Sequence, residues 1–260
     1  DLSLIDMRLD PPARGQWLSP AMVSSMQDTL NRGKQALLFL NRRGYAPLTL
    51  CRNCGHRYAC SDCDAWLVEH RSKNIMACHQ CGSVRDVPDK CEECSEVDCL
   101  TACGPGVERV LEEVGQVFPN KKAAVLSSDM VGQSGELQHQ LKLIQNGEID
   151  IIIGTQIIAK GHHFPELGFA GVVDADLGLG NGDLRAAERT YQTLLQVSGR
   201  AGREASKGNA MLQSYMPDHP VLKALIAGDR DLFLEREAEM RLQSGMPPFG
   251  RLAGLVLSGQ

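Results

Sequence analysis

An α/β fold, with a parallel sheet covered by helices on both faces and a small metal-binding insert, is what this sequence predicts. Three observations carry the expectation. Short, nearly continuous apolar runs at 36–40, 123–126, 149–153 and 169–173 alternate with helical segments, the rhythm of strands buried on both faces. All ten cysteines fall between Cys51 and Cys103, in a stretch with few large apolar residues. Eight of them form four Cys-x2-Cys pairs, the spacing that presents two sulfurs to one tetrahedral ion.

The elements follow in order. Leu2-Ser-Leu-Ile5 opens as a strand. Ser19-Pro20 supplies an N-cap and a proline at the first helical position, and Val23, Met26 and Leu30 form an apolar stripe that ends at Gly33. A strand over 36–40 closes at Asn41-Arg-Arg-Gly44. After the cysteines come a helix over 107–117, a strand at 123–126, a helix over 135–145 and strands at 149–153 and 169–173. A helix over 184–197 should bury Leu184, Ala187, Tyr191 and Leu195. A strand at 209–213 and helices to about residue 243 complete the series. Leu252–Leu257 reads as a further strand with nothing to pair against, so the chain is expected to be a fragment.

The cysteine spacing suggests two four-thiolate sites. Fourteen residues separate Cys63 from Cys78, room for a hairpin that brings Cys60, Cys63, Cys78 and Cys81 onto one ion. Cys51, Cys54, Cys91 and Cys94 then hold the other, nested outside it where the insert leaves and rejoins its host. A sequential pairing is the alternative, with only five residues between Cys54 and Cys60. Four thiolates without a vacant position make a structural zinc site rather than a catalytic one. An iron–sulfur cluster also accepts four thiolates, but evenly made knuckles suit zinc better. Metal should replace the core that this stretch lacks. His56, His70 and His79 read as solvated or hydrogen-bonding residues, and Cys99 and Cys103 as small buried thiols. Arg57 and Arg71, with Arg42, Arg43, Arg52, Lys73 and Arg85 and the rings of Tyr58 and Trp66, could contact phosphates and stack a base, or dock a protein.

Two segments have the look of an NTP-driven motor. Ile151-Ile-Ile-Gly-Thr155-Gln156 ends a strand at the edge where α/β proteins place function, so Thr155, Gln156, Lys160 and Gly161 are candidates to touch phosphate or nucleic acid. Gln196-Val-Ser-Gly-Arg200-Ala-Gly-Arg203 sets two arginines after a helix, with Gly199 giving a sharp turn. Arg200 and Arg203 can then stabilise charge on a transferring phosphoryl group, with Gln196 beside them; the alternative is a solvated basic cap. Val172-Val-Asp174-Ala-Asp176 imitates a magnesium-binding strand end. No Gly-x4-Gly-Lys-Ser/Thr cradle exists anywhere in the sequence, so Asp174 and Asp176 are expected to cap local backbone or line a face between lobes.

Charge and composition exclude some classes. A net charge of -5 with 43% hydrophobic and 23% charged residues is ordinary globular composition, not that of a wholly basic nucleic-acid binder. No apolar run approaches the roughly 20 residues that span a bilayer, and regular cysteine pairs favour thiolate ligands in a reducing cytoplasm over disulfides.

Taken together these pieces resemble the PriA family of replication-restart DNA helicases. The resemblance runs through Leu4-Ile-Asp-Met-Arg8, Phe39-Leu-Asn-Arg-Arg-Gly-Tyr45, the four cysteine knuckles, Gly104-Pro-Gly-Val-Glu-Arg109, Gly154-Thr-Gln-Ile-Ile-Ala-Lys-Gly161, Asp183-Leu-Arg-Ala-Ala-Glu-Arg189 and the arginine turn. It implies a RecA-like P-loop NTPase second helicase lobe, with an insert in which the nested pairing holds two zinc ions. By resemblance, residues 1–18 end a first lobe or link to it, 19–49 begin the second lobe, 50–101 form the insert, 102–244 continue the lobe and 245–260 start a C-terminal domain. It further implies 3′-to-5′ unwinding fuelled by ATP with Mg²⁺, which the fragment alone should not perform. Arg200 and Arg203 would contact ATP, and Thr155, Gln156, Lys160 and Gly161 would couple nucleotide state to DNA. Implied partners are forked or branched DNA, primosome proteins and single-stranded-DNA-binding protein, in a monomer of the bacterial cytoplasm and nucleoid. His163, Val107 and Ser198 stand where the family usually has aspartate, threonine and alanine. From the residues alone, an RNA helicase and a zinc-ribbon adaptor on an inert scaffold remain alternatives.

Overall fold

Six strands form one all-parallel sheet. They are β1 (Leu2–Asp6), β2 (Gln35–Phe39), β8 (Ala123–Leu126), β9 (Ile151–Gly154), β10 (Leu167–Val172) and β11 (Asn209–Ser214), in the order β1-β11-β10-β2-β9-β8. The structure is a computed structural model and describes residues 1–13, 15–41, 48–51, 53–62, 66–70, 74–78, 81–103, 106–126, 134–155, 158, 164–179, 185–201 and 208–253. Among them no helix is long and apolar enough to cross a membrane.

Alternation along each strand divides two cores. Leu38, Ile151, Ile153 and Phe169 face one way, against Met22, Met26 and Leu30 of α1 (Pro20–Asn31) and Val110 and Val114 of α2 (Val107–Val117). Leu37, Ile152 and Ala170 face the other way, with Ile144 of α3 (Ser134–Gln145). Both sides of the inner strands β2 and β9 are therefore buried, which is why their runs are continuously apolar. The Ser19 hydroxyl caps α1 by accepting from the Met22 amide at 3.3 Å, and Pro20 sits in the first turn. At Gly171 a Cβ would lie 2.9 Å from the Met22 sulfur, so the missing side chain lets α1 lie close on β10.

Residues 1–18, expected to end a first lobe or link to it, contain β1, which pairs along its length with β11 and is an edge strand of this same sheet. One expectation is corrected here. The helix expected over 184–197 is α4 (Ala186–Ser198), and it buries Ala186, Thr190, Tyr191, Leu194 and Val197 while Leu195 is exposed. The buried stripe runs beside the expected one; Tyr191 belongs to both, and Leu184 lies outside the described residues. The chain divides into compact units at 1–217 and 218–260, and α5 (Pro220–Ala227) and α6 (Arg230–Gln243) fall in the second. That unit is a helical pair whose buried side chains include Val221, Leu222, Leu225 and Phe233. Residues 254–257 of the expected last strand lie outside the described residues.

Candidate metal centre and arginine turn

The insert leaves the sheet through β3 (Leu48–Cys51) and returns through β7 (Leu100–Cys103), an antiparallel pair with Cys51 opposite Leu100. Between them β4 (Leu67–His70), β5 (Ile75–Cys78) and β6 (Val84–Asp86) form an antiparallel meander, with Leu67 opposite Cys78. This is the hairpin that the Cys63–Cys78 spacing suggested.

Three knuckles share one turn. The amides of Gly55, Gly82 and Ser95 donate to the carbonyls of Cys51, Cys78 and Cys91 at 2.8, 3.0 and 2.9 Å. The amides of those cysteines donate to His56, Ser83 and Glu96 carbonyls, each at 2.8 Å. The turn needs a positive φ just after the second cysteine, and Gly55, Gly82 and Ser95 adopt 78°, 81° and 59°. The residue in that place in the fourth knuckle, Asp64, lies outside the described residues.

The sulfurs of Cys51, Cys54, Cys91 and Cys94 all lie within 4.8 Å of one another, and those of Cys60, Cys78 and Cys81 form a second group. Cys63 lies outside the described residues. The grouping is the nested one. Separations of 3.6 Å for Cys51–Cys94, 3.7 Å for Cys54–Cys91 and 3.6 Å for Cys60–Cys81 are far too long for disulfides. They are close to the edge of a tetrahedron with zinc–sulfur bonds of about 2.3 Å, an edge of roughly 3.8 Å. Burial pushes the Cys51 and Cys54 thiols up to about 12, whereas at Cys91 burial is outweighed by neighbouring backbone N–H groups and thiols, which bring it down to about 6. The four sulfurs lie at separations that suit one tetrahedral ion, so the outer donor set fits a metal and leaves no vacant coordination position.

The thiol clusters are not the insert's only support. Tyr58, Leu67 and Met76 pack with Cys60 and Cys78 into a small core, which the low apolar content did not suggest. Cys99 is buried beside Cys51 and Cys91, and its sulfur donates to the Glu96 carbonyl at 3.1 Å. His56 stands edge-on to the Tyr58 ring, and His70 lies half-buried in β4; His79 is outside the described residues.

Arg57 corrects another expectation. It was a candidate for nucleic-acid contact, yet its side chain is 5% exposed and lies 2.7 Å from Asp176, itself 2% exposed. The guanidinium also lies 5.7 Å from the centre of the Trp66 ring. Tyr58, at 1% exposure, is likewise withdrawn from any stacking surface. Asp176 accepts from the Tyr215 amide at 2.7 Å and from the Ser214 hydroxyl. Burial raises its pKa to about 6 while the Arg57 charge opposes the rise. Asp174 caps local backbone as expected, accepting from the amides of Asp176 and Leu177 at 2.9 and 3.1 Å. The sequence signal for this missed pair was an acidic residue just beyond a buried strand, where a carboxylate needs a cation. Arg71 lies outside the described residues. Arg85 pairs with Glu92 over the Tyr58 ring.

Thr155 follows β9, buried, and its hydroxyl has no hydrogen-bond partner among the described residues. Gln156, Lys160, Gly161 and His163 lie outside them. Past α4, the Arg200 amide donates to the Val197 carbonyl at 3.0 Å and its side chain is buried, unlike a solvated cap. Gln196 is exposed, and Arg203 is outside the described residues. Gly199 has φ -72°, so it is not there for a left-handed turn; a Cβ would instead meet the Leu195 carbonyl at 3.2 Å.

Comparison with known proteins gives one family. Residues 60–85 match the PriA DNA helicase Cys-rich region (CRR) domain. Over 259 residues, 100% of the chain, the sequence is 47% identical to the "Replication restart protein PriA" of Rickettsia felis and 48% identical to that of Rickettsia prowazekii, covering 40% of each. The Bacillus subtilis protein of the same name is 36% identical over 99% of the chain, which covers 32% of it. The chain thus spans 40% or less of the length of these relatives. On similarity that extends from end to end of this sequence and includes its metal insert, the chain belongs to the PriA family of replication restart proteins.

Proposed function

We propose that the chain is the second RecA-like motor lobe, with its zinc insert, of an ATP-driven 3′-to-5′ DNA helicase of superfamily 2. The longer protein would restart stalled replication forks and assemble primosomes on forked or branched DNA, as a monomer meeting primosome proteins and single-stranded-DNA-binding protein. Similarity over 100% of the chain to replication restart proteins carries this reading. The buried Arg200, held just past a helix end, agrees with it.

In this reading each cysteine cluster holds one zinc ion, with Cys63 completing the inner set. Zinc there supplies a structural cross-link and no substrate position. ATP and Mg²⁺ bind chiefly to another part of the longer protein, because this sequence has no phosphate cradle, and the chain alone hydrolyses nothing. Arg200 and Arg203 bring positive charge to the transferring phosphoryl group, with Gln196 and Gly199 in the same turn. Thr155, Gln156, Lys160 and Gly161 relay nucleotide state to the DNA strand. Arg71 remains a candidate for phosphate contact, whereas Arg57 does not.

The test is made in the longer protein. Arg200→Ala or Arg203→Ala should each lower DNA-stimulated ATP turnover by about 10²-fold or more, by analogy with arginine fingers, with DNA affinity within a few-fold. Unchanged turnover in both variants refutes the assignment.

A further inference from the structure

The outer thiol cluster is joined to the strand ends of the parallel sheet by contacts that converge on residues 174–177 and 214–215. Gly55, the turn residue of the Cys51/Cys54 knuckle, lies against Tyr215: a Cβ on it would be 3.3 Å from the Tyr215 Cβ and 3.5 Å from its carbonyl. Two residues on, Arg57 bridges back to Leu50 through its backbone and sends its side chain to Asp176 at 2.7 Å. Leu50, fully buried, packs with Leu177, and Trp66 and Tyr215 cover them.

The receiving side is equally constrained. Asp176 holds the Tyr215 amide at 2.7 Å and the Ser214 hydroxyl, so it ties the segment after β10 to the end of β11. Asn41, just after β2, donates to the Leu177 carbonyl at 2.8 Å and draws a third strand end into the same group. A displaced knuckle would move Gly55 and Arg57 together. It would leave Asp176 as a buried charge without its cation, a state that is strongly unfavourable.

We propose that the Arg57–Asp176 pair, with Gly55 seated on Tyr215, locks the outer metal site to the sheet. Occupancy of Cys51, Cys54, Cys91 and Cys94 and order in segments 174–177 and 214–215 then rise and fall together. Arg57 and Asp176 are positioning residues, and the insert and the sheet edge behave as one body. The inner cluster is seated on the β4–β5 hairpin with a small core that shares Leu100 with the outer cluster, and it touches the lock only through these neighbours. The proposal rests on the reading that the outer cysteines hold zinc.

The test uses the full chain loaded with zinc, and needs neither nucleotide nor DNA. Zinc release to a chelating dye is followed in the parent, Arg57→Met and Asp176→Asn, and a Cys81→Ser background identifies the outer-site phase. Amide exchange is read over 174–177 and 214–215, with β9 as the internal reference. Arg57→Met should speed outer-site release and exchange at the Tyr215 amide by roughly ten-fold, with inner-site release and β9 within about two-fold of the parent. Asp176→Asn should act in the same direction but less, since its side-chain oxygen can still accept from Tyr215. Should Arg57→Met fail to fold, Asp176→Asn carries the test, with outer-site release faster than in the parent and inner-site release and β9 within about two-fold. Outer-site release that stays at the parental rate overturns the proposal. So does equal acceleration of both sites and β9, which would mean only a general loss of stability. A parent chain without zinc instead overturns the metal reading on which the proposal depends.

Discussion

In the parallel sheet Leu37, Leu38, Phe39, Ile151, Ile152 and Ile153 have no exposed surface, and helices cover both sides. In the insert the comparable group is Tyr58, Leu67 and Met76 with two cysteines, and the other cysteine cluster packs against little but Leu100. The sheet is held by removing apolar area from water, a term spread over many residues. The insert is held at a few points, by sulfur and by knuckle turns. A loss in the first region should therefore be graded and shared, whereas a loss in the second should be abrupt and local.

Removing metal should expose that difference most strongly. The purified chain is expected to contain about two zinc ions by elemental analysis, and apparent structural-zinc binding is of order 10–16 kcal/mol. Chelation should abolish amide protection in β4, β5 and β6 while β9 keeps its own. Equal loss in both regions would show that the sheet leans on the insert. One ion, or iron as the main metal, would contradict the two-site reading.

A cavity in the sheet tests the other half of the comparison. Ile152→Ala removes a fully buried side chain from the core shared with Ile144 and Ala170. It should cost about 2–5 kcal/mol in denaturant unfolding at fixed zinc, with metal content unchanged. A smaller effect is expected from Ser19→Ala, which removes the hydroxyl that caps α1 and should cost about 1 kcal/mol by the same measurement. A change in zinc content in either variant would blur the separation between the two regions.

Local features of the fold were legible where one physical signal dominated. The helix at 107–117 and the strand at 123–126 fall where their patterns predict, because Val107, Val110 and Val114 make one buried stripe at helical spacing and Ala123–Leu126 is a short apolar run. For α4 the pattern was ambiguous: apolar residues lie on neighbouring stripes, and packing on β10 and β11 chose the one through Leu194 and Val197. Pairing of β1 with β11 was not legible, since nothing local in Leu2–Asp6 names a partner some two hundred residues away. The thiol clusters were readable because ligand spacing is a local property, and loop length favoured their nesting over a sequential pairing. Arg57 was misread for the opposite reason. A lone arginine among other basic residues looks solvated until the fold brings Asp176 to it.

The ladder between β3 and β7 has a consequence for how this protein could change over time. Cys51 and Leu100 are facing neighbours, so the chain re-enters the host beside the point where it left. To the host, residues 52–99 are a detour of no net displacement. Lengthening, shortening or excising that detour places no demand on the register of the six-stranded sheet, provided the two feet of the ladder stay side by side. A hairpin turn joining Cys51 directly to Leu100 would satisfy the host's geometry. The insert is thus topologically dispensable to the sheet, but not energetically so, because excising it would remove Arg57 and leave the buried Asp176 without its cation.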